Sequence, residues 1–148
     1  MKKLILTLIV AFATAVLLWA CGSSNRVVRF PLVGASNTRM LVFEKVELTD
    51  TATVLTVRGF HDPEHWIKVS PSIHLVAQNK EYELIGSKGV EPGKELFMPE
   101  DGDSCFTLIF EPLPNACSEF DFIDADAKNG WRMYGIDLTG KRDVANPT

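Results

Sequence analysis

No Cys-x-x-Cys pair occurs in this 148-residue sequence, whose only cysteines are Cys21, Cys105 and Cys117. That absence excludes a thioredoxin-type dithiol centre. Also missing are a nucleophile elbow, a phosphate-binding loop, a dinucleotide fingerprint and a His-Glu-x-x-His pair. Each of these would fix a reactive group or a phosphate cradle on a defined turn or helix. No cofactor and no enzymatic activity are therefore expected. Positive charge is scarce: 15 Lys and Arg stand against 19 Asp and Glu, for a net charge of −4. Nucleic-acid binding needs a basic footprint and is excluded on this count, as is side-chain attraction to an anionic lipid surface. Sustained helical periodicity is missing too.

What the chain does have, first, is an apolar run at its start. Lys2 and Lys3 precede residues 4–20, LILTLIVAFATAVLLWA, which are apolar apart from two threonines. The run is short for a bilayer span, which takes about 20 residues. It ends in Leu18, Ala20 and Cys21, the branched, small and cysteine positions of a lipobox. Trp19 departs from the usual small or β-branched residue at its place. The expectation is a lipoprotein signal peptide over 1–20, acylation of Cys21 and a short polar tether over 21–26. An uncleaved anchor or ordinary secretory cleavage are the alternatives. Removal of 1–20 takes two lysines and no acid, leaving a charge near −6. Several acyl chains on one residue anchor stably, each buried methylene contributing about 0.8 kcal/mol. Gly22 follows the cysteine where an inner-membrane retention signal has aspartate. The expected place is the outer membrane, held by the lipid anchor and facing the periplasm or the outside.

The remaining chain, over 27–140, is patterned as strands and turns, with a polar tail at 141–148 expected to be disordered. Residues 40–48, MLVFEKVEL, alternate through Leu41 and Phe43, then resume in the opposite phase at Val46 and Leu48. Such a phase change marks a β-bulge near Glu44–Lys45. Short strands are expected at 53–58, 66–69, 73–78, 81–85, 96–98, 105–110, 119–123 and 131–138, with tight turns at Asn79–Lys80, Asp101–Gly102 and Asn129–Gly130. The prediction is an all-β fold, an immunoglobulin-like antiparallel β-sandwich of about seven to nine strands.

Three groups of residues invite a chemical reading. In HDPEHW, residues 61–66, two histidines stand four apart with acids between them. On a helix they would share a face and could hold zinc. Pro63 disfavours helical geometry at Asp62, so a single turn starting at Pro63, with His61 outside it, is expected instead of a metal site. His61, His65 and Trp66 are kept as a candidate interaction surface. In DADAKNG, residues 124–130, Asp124 and Asp126 open like a calcium loop, but Lys128, Asn129 and Gly135 fail the later positions. A polar strand end is expected there, and a solvated turn at PEDGD, residues 99–103. Finally, if 105–110 and 119–123 pair as neighbours, Cys105 and Cys117 lie roughly 23 Å apart at about 3.3 Å per residue. A disulfide needs Cα atoms within about 7 Å, so two unpaired thiols are expected. As aromatics at strand positions, Trp66, Trp131 and Tyr134 are expected in the core, with lining a ligand surface as the alternative.

The order of several phrases carries a family likeness: ELTDTATVL (47–55), WIKVSPSIHLVAQNKEYELIGSKGVEPGKELFMPEDG (66–102), FTLIFEPLP (106–114), FDFID (120–124) and YGIDLTG (134–140). Together they resemble the N-terminal β-sandwich domain of thioredoxin-like thiol–disulfide proteins of the Gram-negative envelope. The resemblance covers about residues 27–140. It implies the fold and the compartment. In such relatives a redox domain can follow the sandwich; here the chain stops eight residues after YGIDLTG, so that half is expected to be absent and no catalytic residue carries over. The function expected is a membrane-tethered lipoprotein whose non-catalytic sandwich binds an envelope protein or glycan, or serves as a structural part of an envelope assembly. The alternative is an accessory to envelope thiol–disulfide exchange, working with a separate redox protein. The loops at 60–66 and 86–102 are the first surfaces to test.

Overall fold

The computed structural model describes residues 25–124 and 130–140. Among the described residues are eleven β-strands and no helix. The strands are β1 (Arg26–Arg29), β2 (Ala35–Ser36), β3 (Leu41–Leu48), β4 (Thr53–Phe60), β5 (Trp66–Lys68), β6 (His74–Ala77), β7 (Lys80–Lys88), β8 (Glu95–Phe97), β9 (Asp103–Phe110), β10 (Glu119–Ile123) and β11 (Arg132–Asp137). Nine of them form one antiparallel sheet in the order β1-β3-β4-β9-β7-β6-β10-β11-β2, and β5 and β8 form a separate two-stranded ribbon. The count exceeds the sequence expectation by β1 and β2, short strands of four and two residues ahead of the first one expected.

The long sheet folds over on itself at β7. Its first half, Lys80–Glu83, pairs with β6, and its second half, from Leu84, pairs with β9, with a register slip between Leu84 and Gly86. A slip of this kind bends a strand and raises its twist. The two halves then face each other as a sandwich. Phe122 of β10 meets Phe43 of β3 with ring centroids 5.1 Å apart, and Phe110 of β9 at 6.2 Å, both edge to face. Inward positions follow the alternation of the sequence: Leu55 and Val57 on β4, Phe106, Leu108 and Phe110 on β9, Phe120 and Phe122 on β10, all buried. The bulge read from the phase change is present. Phe43 pairs with Val57 and Lys45 with Thr56, leaving Glu44 as the extra residue.

Three local expectations need correction. The β6–β7 turn sits one residue earlier than read: Ala77 pairs with Lys80, and Gln78 and Asn79 occupy the turn at φ 51° and 62°. Two-residue hairpins of this twist need positive φ at both central positions, and Lys80 is left to open the next ladder. Second, β9 and β10 are not neighbours. β9 lies between β4 and β7, whereas β10 lies between β6 and β11. The segment 111–118 crosses from one half of the sandwich to the other, and buried Thr53 holds it by accepting the Leu113 N–H at 2.8 Å. Cys105 and Cys117 therefore belong to opposite sides of this crossing, and both are free thiols. Third, Arg26 is not tether but the first residue of β1, paired with Leu48. Its guanidinium donates to the carbonyls of Asn115 (2.7 Å), Cys117 (3.0 Å) and Leu138. The signal-peptide segment 1–20, Cys21, the Asn129 half of the Asn129–Gly130 turn, Asp126 and Lys128 of DADAKNG, and the tail 141–148 lie outside the described residues.

Candidate functional site

The loop His61–Trp66 joins β4 to the ribbon strand β5. The His65 N–H donates to Asp62 O at 3.1 Å, closing a four-residue turn. Pro63 takes its second position, and Glu64 takes the third at φ 70°. Proline followed by a positive φ is the type II arrangement. It replaces the helical turn expected from the sequence, because a left-handed residue at Glu64 cannot continue a helix. The loop is tied down on both sides. His61 N–H donates to Gly102 O (3.1 Å), Glu64 N–H to Met98 O (3.4 Å), and Met98 N–H to His65 O (2.8 Å). The PEDGD turn is thus a support for the loop as well as a solvated bend. Gly102 stands at φ 67°, where a Cβ would fall 2.4 Å from His61 O.

This turn brings together what the sequence argument kept apart. The His61 and His65 rings lie 5.0 Å apart between centroids. Ligating atoms of His61, Asp62 and His65 all fall within 4.8 Å of one another. A helix is not the sole way to join two histidines at this spacing; a proline turn does so as well. The Asp62 N–H donates to His61 Nδ1 at 2.8 Å, which places the ring proton on Nε2.

The ribbon supplies the rest. Trp66 pairs with Phe97, Ile67 with Leu96 and Lys68 with Glu95. Ile67 is buried against Gly59, where a Cβ would come within 2.8 Å of Ile67 Cδ1. Trp66, next to Ile67 on β5, and its pairing partner Phe97 on β8 point outward: Trp66 is 44% exposed and Phe97 58%. Lys68 Nζ lies 5.9 Å from the Trp66 ring centroid. His61, Glu64, His65, Trp66 and Phe97 line an open groove of about 540 Å³. The three residues kept as a candidate surface, His61, His65 and Trp66, are therefore contiguous. Phe97 was missed, since only the ribbon register sets it opposite Trp66. A second groove, of about 360 Å³, runs past Trp66 towards Lys68, Asp124 and Trp131. Trp131 is buried as expected, but Trp66 on β5 and Tyr134 on β11 are each 44% exposed, not core. Asp124 is buried.

The two thiols differ. Cys105 is exposed on β9, across from Arg58 of β4. Hydrogen bonds to Glu44 and then Asp103 hold the Arg58 guanidinium above its ordinary value. Cys117 is buried, with Sγ donating to Glu119 O at 3.1 Å. Burial pushes its thiol up, so little nucleophilic thiolate forms. Native alkylation mapped by peptide mass spectrometry is expected to modify Cys105 and spare Cys117 until the chain unfolds. The folded pKa of Cys117 lies above the unfolded one, so its contribution to stability is full below about pH 8.5 and is lost as pH rises through the folded value. Cys117→Ala is expected to flatten that alkaline loss in denaturation curves. Equal alkylation of both thiols in the native state would contradict the assignment.

Comparisons of the chain with protein-family models, with curated proteins and with solved structures find no match.

Proposed function

We propose that the chain is a membrane-tethered lipoprotein of the cell envelope whose non-catalytic β-sandwich binds a protein or glycan partner through the face that carries His61, His65 and Trp66. The observation that carries this reading is the exposed Trp66–Phe97 pair on a ribbon whose buried Ile67 packs against Gly59 of β4. Large aromatic side chains give much contact area at low entropic cost, and tryptophan is enriched among residues that dominate binding energy. The lipobox residues Leu18, Ala20 and Cys21 supply the tether, with the outer membrane as its place. The alternative, an accessory role in thiol–disulfide exchange, draws on the family resemblance. The burial of Cys117 gives it no support.

In-cell crosslinking followed by purification of the tethered chain tests the reading. The wild type is expected to recover an envelope protein or a glycan, and Trp66→Ala is expected to weaken that association about 30-fold, as loss of about 2 kcal/mol implies. The N-terminal peptide of the same sample is expected to begin at an acylated Cys21. A retained Met1 or an unmodified Cys21 overturns the tether. Crosslinks that survive Trp66→Ala unchanged overturn the binding face, and recovery of a thiol oxidoreductase through Cys105 favours the alternative.

A further inference from the structure

We propose that His61, Asp62 and His65 form a binding site for a late first-row divalent metal ion, of which zinc and copper(II) are the fitting members. His61 and His65 also lie on the proposed partner face, but the metal site does not depend on that use. Two imidazoles and one carboxylate are an N₂O donor set, which suits these ions better than magnesium or calcium, whose ligands are oxygens.

The geometry is close to what coordination needs. Bonds of about 2.0–2.1 Å at tetrahedral angles place donor atoms about 3.3 Å apart. The three donors already lie within 4.8 Å of one another. Asp62 and His65 are exposed and His61 is half-buried, so side-chain torsions can close the remaining gap without disturbing packed neighbours. The backbone needs no such adjustment. The turn is closed by the bond from His65 N–H to Asp62 O, and the loop is tied to Met98 and Gly102 by three further bonds. A ligand set held in this way loses little freedom when the ion arrives.

One contact must change. His61 Nδ1 now accepts the Asp62 N–H. Ligation through Nδ1 exchanges that bond for a metal bond and releases the amide of an exposed residue to water. The groove in front of the histidines, bounded by Glu64, Trp66 and Phe97, leaves the outer positions of the ion open to water or to an incoming donor, the arrangement of an open site and not of a closed structural one. Glu64 is the nearest further carboxylate on that loop.

The test uses the untagged full chain in detergent micelles. Calorimetric titration with Zn²⁺ is expected to give one ion per chain. Electron paramagnetic resonance with Cu²⁺ is expected to show coupling to two imidazole nitrogens. His61→Gln and His65→Gln are each expected to weaken Zn²⁺ binding about 100-fold, as loss of about 2.7 kcal/mol implies, and Asp62→Asn about 10-fold. His74→Gln is the control, since His74 lies on β6 beside Glu81 and the carbonyl of Ser72; it is expected to leave affinity unchanged. A readout on the wild type guards against misfolded variants: Zn²⁺ is expected to shift the Asp62 amide resonance. Zn²⁺ binding weaker than about 1 mM, affinity untouched by both histidine substitutions in the loop, or an unmoved Asp62 amide each overturns the proposal.

Discussion

Replacing Gly102 by alanine is expected to lower the stability of the folded chain by about 3 kcal/mol. Two costs add. At φ 67° an L-residue pays about 1 kcal/mol for the left-handed region. The added Cβ would also lie 2.4 Å from the carbonyl oxygen of His61, an overlap with backbone that no side-chain rotation relieves. The same two residues are joined by the hydrogen bond from His61 N–H to Gly102 O, so relief separates them and strips the loop of one support. Gly140 provides the comparison. It stands at φ 68° with nothing within 4 Å of where a Cβ would sit, and Gly140→Ala is expected to cost only the backbone share, about 1 kcal/mol. Urea denaturation of both variants measures the difference. Equal losses would show that the contact with His61 carries no weight.

Phe122→Ala is the second large expected effect, at about 4 kcal/mol. Phe122 is fully buried and stands edge to face with Phe43 and Phe110, which come from the other half of the sandwich. Truncation leaves a cavity between the two halves of the folded sheet, whose backbones are fixed by their ladders, so collapse around it is limited. A small domain is stable by only about 5–15 kcal/mol, and the loss is a large part of that. Val27→Ala on β1, where Val27 is half exposed, is expected to change stability by no more than about 0.5 kcal/mol. A Phe122→Ala loss under about 2 kcal/mol would mean that the two halves do not depend on this junction.

The parts of the fold legible in the sequence were those written in local alternation. The phase change between Phe43 and Val46 marked the bulge at Glu44, and the inward faces of β9 and β10 followed from every second residue. What was not legible was which strand sits beside which. Nothing in CFTLIF or EFDFI says that they lie in different halves, because partners such as Thr53 for Leu113 are brought together by the whole chain. The candidate site shows the same division. His61, His65 and Trp66 were visible by residue type. Their convergence depends on a positive φ at Glu64, a residue that gives no sign of it, and on a glycine forty-one positions past His61. Phe97 enters only through the pairing of two three-residue strands.

The Arg26 fork has a mechanical consequence. Any pull transmitted through the segment before residue 25 enters the sandwich at β1, an edge strand of four residues. Such a strand peels one ladder bond at a time unless its end is fastened. Arg26 fastens it, gripping carbonyls at Asn115, Cys117 and Leu138 on two other stretches of chain. Load is thereby shared with the crossing segment and the end of β11 at the same residue that opens the β1–β3 ladder. Arg26→Ala would turn a distributed anchorage into a zipper, and the force at which the domain opens, not its equilibrium stability alone, would record the change.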